Sequence, residues 1–183
     1  MARLMVIALS LFLLGCATGT PIKDFTNRSV VYSWIDVSDI PGNKLVMYEM
    51  RNLSAPNNER YYQMGWEKVG SGYLVWHQGF NGGQYEAHRL QTMACAGPLC
   101  TNTINEYGFG PNGTSPIKTT VKAGGVHFAG CYAFYQTKRG FFRPGEFDTR
   151  KARCGASKRQ MLSIILQNAQ DPVVVSRLKR AMR

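Results

Sequence analysis

The residues able to do chemistry in this 183-residue chain are three histidines, five cysteines and a thin set of acids, set against an excess of cations. His77, His88 and His127 are the candidates for acid–base work or metal binding, and each falls in a stretch with strand-like periodicity. Glu86 stands two residues before His88, a spacing that lets a carboxylate and an imidazole share one strand face. No pattern fixes a nucleophile or a phosphate cradle. A G-x-S-x-G elbow, a P-loop and H-E-x-x-H are all missing, and Gly108-Phe109-Gly110 lacks a third glycine and a following helix. The expectation is a non-enzymatic protein with no cofactor and no metal. The alternative is a hydrolase or glycan-acting enzyme built around His88 or His127.

The fifth cysteine, Cys16, has a different setting. Residues 1–15 (MARLMVIALSLFLLG) put one cation, Arg3, before an apolar run from Leu4 to Leu14, the form of a secretory signal too short to span a bilayer. Leu13-Leu14-Gly15-Cys16 then resembles the lipobox of bacterial lipoproteins, although Leu14 stands where a smaller residue is more usual. The resemblance implies cleavage before Cys16 and acylation of its sulfur and new amino group. Two or three acyl chains hold a protein to a membrane stably where one does so only marginally. An ordinary signal with an incidental Cys is the other reading. Ala17, rather than Asp, at the next position implies by the same resemblance the outer membrane, at its periplasmic face. Residues 16–28, small and polar, are expected to be a lipidated tether, and 29–183 a single β-rich domain.

Export to an oxidising compartment gives the other four cysteines a role. Cys95, Cys100, Cys131 and Cys154 are an even number, so two disulfides are expected, and three pairings are open. Four residues including Gly-Pro separate Cys95 from Cys100, which suits a small closed loop and leaves Cys131 for Cys154. The spacing is not C-x-x-C and no His is close to that loop, so neither a redox pair nor a zinc site is favoured.

The 22 Lys and Arg outnumber 11 Asp and Glu, and the excess is uneven. Residues 16–130 carry 9 cations against 8 acids; residues 131–183 carry 12 against 3. This basic region comprises Lys138, Arg139 and Arg143, then Arg150, Lys151 and Arg153, then Lys158 and Arg159, and finally Arg177, Lys179 and Arg180. Such a patch fits anionic lipid, lipopolysaccharide, peptidoglycan or an acidic envelope protein. Nucleic acid is not an expected partner of an exported, anchored protein. A solvated face that keeps the protein soluble is the competing reading.

These groups need a scaffold. With 44% hydrophobic and 18% charged residues, the chain is neither disordered nor polytopic. Short β-branched and aromatic runs between Gly, Pro, Asn and Asp clusters predict successive antiparallel strands at 29–38, 44–51, 61–69, 73–78, 84–93, 117–122, 126–136 and 146–152. Gly70-Ser71-Gly72 and Ala123-Gly124-Gly125 are read as hairpin turns, and 101–115 as a loop with room for one short strand. Along 126–136, strict alternation puts Val126, Phe128, Tyr132 and Phe134 on one face of an interior strand.

From about residue 157 the period changes to helical, with Ser157 and Asp171 as N-caps and Pro172 opening the second helix. The fold class is mainly β: an antiparallel sandwich or partly open barrel followed by two short helices. Residues 119–134 (TTVKAGGVHFAGCYAF) resemble a step of small β-sandwich lipoproteins, which supports the sandwich and carries over no functional residue. Trp34, Trp66 and Trp76, with Tyr61, Tyr62, Tyr73 and Phe80, are read as core, with a glycan- or peptide-stacking surface as the alternative. An exposed stripe along Val174, Leu178 and Met182 would instead mark a docking helix of an envelope-spanning assembly.

Overall fold

The computed structural model describes residues 24–55, 61–96, 99–109, 115–138 and 146–183, with backbone alone for 101, 102 and 146. The expected signal peptide, Cys16, Arg139 and Arg143 lie outside the described residues. In chain order the elements are β1 (Ser29–Asp39), β2 (Lys44–Asn52), β3 (Tyr61–Gln63), β4 (Gly65–Val69) and β5 (Gly72–Phe80). They continue with β6 (Gly83–Ala96), β7 (Leu99–Gly108), β8 (Lys118–Val121), β9 (Val126–Lys138), β10 (Glu146–Lys151), α1 (Lys158–Gln167) and α2 (Pro172–Ala181).

Two sheets face each other without closing into a barrel. One is ordered β10-β9-β1-β5-β4; the other runs β3-β2-β6-β7, with β8 also paired to β6. Between them lies a core to which the first sheet contributes Val31, Ile35, Val75 and Phe134 and the second Tyr48, Met50, Tyr85 and Leu90, all essentially solvent-free. Helices α1 and α2 form a third layer. Met161, Leu162, Ile165, Val174 and Leu178 pack on the outer side of the first sheet against Val30, Tyr32, Trp34 and Leu74. Both helix starts are capped as expected: Ser157 accepts from the Gln160 amide, and Asp171 from the amides of Val173 and Val174. Trp34 is the joint of this layer. Its Nε1 donates to the Val69 carbonyl at 3.2 Å, and its ring lies so close to Gly155 that a Cβ there would meet Cζ2 at 2.5 Å.

Several local expectations change in the folded chain. The two-residue turn Gly70-Ser71 does join β4 to β5, with Val69 opposite Gly72. Ala123-Gly124-Gly125 does not make a hairpin: β8 pairs with β6 and β9 with β1, so this turn carries the chain from one sheet to the other. The run 61–69 is likewise cut at Met64, β3 joining β2 and β4 joining β5. Of residues 101–115, read as a loop with room for one short strand for their glycines and lack of periodicity, 101–108 belong to the edge strand β7, because pairing with β6 satisfies their backbone without needing an apolar face.

Strands β1 and β9 are parallel, against the antiparallel expectation. Strand β9 is interior as predicted, but a bulge at Gly130 (φ +112°) breaks its alternation. Ala129, Tyr132 and Phe134 therefore face the sandwich core while Val126 and Cys131 face the helices. Ser33 Oγ fastens the bulge by donating to the Gly130 carbonyl at 2.7 Å.

Candidate functional site

The structure separates two surfaces of opposite character. The first is the helix layer. Lys158 and Arg159 open α1, Lys179 and Arg180 close α2, and all four are exposed, as are Lys151 and Arg153 on the way in. The cations of α2 sit at the end where a helix favours positive charge; those of α1 sit at the opposite kind of end, whose first turn carries no acid. Helix stability therefore accounts for Lys179 and Arg180 but not for Lys158 and Arg159. Of the other predicted basic residues, Lys138 is exposed at the end of β9. Arg150 lies over the Tyr135 ring at 5.2 Å and 3.8 Å from Asp39, a pair too exposed to add much stability.

Arg177 leaves the patch altogether. Its guanidinium donates to the backbone carbonyls of Phe25 (2.9 Å), Arg28 (2.6 Å) and Thr26 (2.6 Å). Phe25 packs against the helix-side core, so the packed fold begins inside the 16–28 span read as tether. A planar five-donor fork suits three converging carbonyls. Nothing in the sequence separates this arginine from its neighbours, since its partners are about 150 residues away. The cystine Cys131–Cys154 ties β9 to the segment that enters α1. Beside the helices the Phe128 ring lies tilted against Tyr32 (5.1 Å between centroids) yet is 46% exposed, and Val173 at the start of α2 is 37% exposed.

The second surface is the tip of the β6–β7 hairpin, beyond the last residue of β1. Cys95 and Cys100 are register partners and are bridged. The Asn43 amide clamps the same cysteine, donating to the Cys95 carbonyl and accepting from the Cys95 amide, each at 2.8 Å. Under this tip runs an open groove of about 490 Å³, lined by Ile40, Asn43, Ala94, Ala96, Leu99 and the cystine. Leu99 is 77% exposed, and residues 90–105 contain no charged side chain.

The candidate catalytic residues do not converge. β3 presents adjacent tyrosines to opposite sides, so Tyr62 meets His77 edge-on (5.4 Å) whereas Tyr61 lies tilted against His88 (4.8 Å). Burial pushes His77 down to about 4, and its Nδ1 accepts from the Gly79 amide at 2.9 Å, a neutral ring holding local backbone. Partial burial, reinforced by the Arg51 guanidinium, lowers His88. His127 lies against the backbone of Lys122, 2.8 Å from its carbonyl oxygen.

Glu86 is buried on the outer face of the second sheet, where Arg51 approaches within 2.5 Å, Lys118 within 3.9 Å and the Ser115 amide within 3.4 Å. Its partner is thus Arg51 on β2 rather than His88, a pairing set by register across 35 residues. Among the described residues no group of three or more His, Cys, Asp or Glu comes together. Trp34, Tyr73 and Phe80 are core, Trp66 and Trp76 are half-buried, and Tyr61 alone of the predicted aromatic set is exposed. Val174 and Leu178 are buried too, so they form no exposed docking stripe with Met182. No helix among the described residues is long and apolar enough to cross a membrane. No protein-family model, curated protein or solved structure matches the chain.

Proposed function

We propose that the protein is a lipoprotein of a bacterial cell envelope, held by acyl chains on Cys16 at the periplasmic face of the outer membrane. Its role in this reading is structural or binding, with the basic C-terminal region contacting an anionic envelope component or a protein partner. The observation that carries the proposal is the cysteine pairing. Two disulfides use four of the five cysteines, and the fifth is the one that ends a secretory-type apolar run in a lipobox-like setting. Structural disulfides belong to oxidising compartments, which supports export. The exposed cations of α1 and α2 support a contact with polyanions, because two of them oppose the helix dipole and so are not explained by helix stability.

Metabolic labelling with a palmitate analogue tests this reading. Label is expected on the wild-type protein and absent from the Cys16→Ser variant, which should also leave the membrane-lipoprotein fraction. An unlabelled wild type whose fractionation is unchanged by Cys16→Ser overturns it.

A further inference from the structure

We propose that the anionic partner of the helix layer is the surface of the membrane that carries the anchor, with Lys158, Arg159, Lys179 and Arg180 on its headgroups and Phe128 and Val173 at the acyl boundary. This rests on the lipoprotein reading above and deepens it by naming one partner.

Three observations carry it. First, the chain enters the domain at the helix layer. Arg177 on α2 grips the carbonyls of Phe25, Thr26 and Arg28, so the described chain begins beside α2. Second, the connection back to Cys16 is short. The eight residues from Cys16 to Asp24 reach about 28 Å at full extension. The uncharged hairpin tip lies beyond the far end of β1, whose 11 residues run roughly 33 Å from Ser29. The tether is thus shorter than the domain, and the side where α2 meets residues 25–28 is the part kept at the bilayer. Third, the chemistry of the layer matches that surface: exposed cations on both helices, an exposed valine in the first turn of α2 and an exposed aromatic against Tyr32 of the sheet beneath, the composition of interfacial binding.

A short tether converts binding to its own membrane into an intramolecular step at high effective concentration. Contacts too weak to hold a free protein then suffice to orient a tethered one. Each cation near an anionic leaflet strengthens the contact roughly five-fold. The hairpin tip, without a charge from residue 90 to 105 and built on the second sheet while the helices cover the first, gains nothing from such a surface.

The test reconstitutes the native protein into vesicles of phosphatidylcholine alone or mixed with phosphatidylglycerol, then measures amine labelling by mass spectrometry. Lys158 and Lys179 are expected to label several-fold more slowly on the anionic vesicles, and at the neutral-vesicle rate in high salt. Lys44, at the hairpin end, should label equally on both. The Arg159→Gln, Arg180→Gln double variant, both exposed side chains, should weaken the contact roughly 25-fold and restore labelling while still floating with the vesicles. Equal labelling of Lys158 and Lys179 on both vesicle types in a protein that floats overturns the inference and spares the lipoprotein reading. So does protection supplied by cell-wall polymer or an envelope protein instead. A protein that floats with neither vesicle type overturns both.

Discussion

The helix layer and the hairpin tip are each fastened by a disulfide, yet they solve different problems. The helix layer has its own apolar interface: Met161, Leu162, Ile165, Val174 and Leu178 lose almost all contact with water against the first sheet. Its cystine closes a span of 23 residues and fixes where an already favourable helix pair is attached. The tip overhangs the end of the sandwich with Leu99 in solvent, so burial contributes little there. A cystine across five residues and one asparagine amide hold its shape instead. A hydrophobic interface stabilises a position; a local cross-link stabilises a conformation that exposes apolar atoms. The first region is free to carry charge on its outer side, and the hairpin strands of the second carry none from residue 90 to 105.

The widest gap between the two regions should come from matched leucines. Leu178→Ala opens a cavity in the helix-side core and is expected to lower the unfolding free energy by about 3–5 kcal/mol. Leu99→Ala removes exposed atoms and should change it by less than about 0.5 kcal/mol. Urea titration of both variants checks this, and equal losses would break the contrast.

The disulfides come next. Replacing Cys131 and Cys154 by serine should cost about 3–4 kcal/mol, the chain-entropy value for its loop. The Cys95→Ser, Cys100→Ser pair should cost about 2 kcal/mol. Only the first should loosen α1 and α2 in hydrogen exchange. If the tip pair costs as much, the hairpin is part of the core rather than an appendage.

Acid separates the sandwich from both of its ends. His77 titrates near 4 in the fold and at 6.5 when free, so between these values the unfolded chain holds a proton that the folded one refuses. Its contribution is therefore intact above pH 6.5 and declines as the pH falls toward 4, by about 2 kcal/mol once residual solvent contact is allowed for. His77→Asn keeps an acceptor for the Gly79 amide and should flatten the slope of stability between pH 6.5 and 4. A slope that survives the substitution would show that groups other than His77 carry the acid sensitivity.

Much of this molecule was legible in short windows. The caps at Ser157 and Asp171, the Gly70-Ser71 turn, most strand positions and the Cys95–Cys100 loop depend on residues within a few positions of one another. What failed had remote causes. Strand β7 looks like a loop because its side chains are polar, and only the β6 backbone opposite makes it a strand. Gly124 and its neighbours look like a hairpin because a turn's local chemistry does not say which sheet receives the next strand. The alternation along β9 fails at Gly130 because the bulge answers to β1. In the candidate surfaces, the excess of charge was visible as composition, but the sequence could not say that Arg177 is consumed by backbone carbonyls while Lys158 and Arg159 stay free to meet solvent.

The amino-acid order alone determined the class of fold, the helix boundaries, a cysteine set that pairs as two bridges and the crowding of cations into the last third, because each follows from periodicity, capping or counting along the chain. The tertiary structure decided the parallel docking of β1 on β9, the partner of Glu86 and the attachment of residues 25–28 to α2. It also decided that the helices cover the outer face of the first sheet while the uncharged hairpin tip extends from the second. Those outcomes turn on the free energy of contacts between residues dozens to more than a hundred positions apart, which no local pattern encodes.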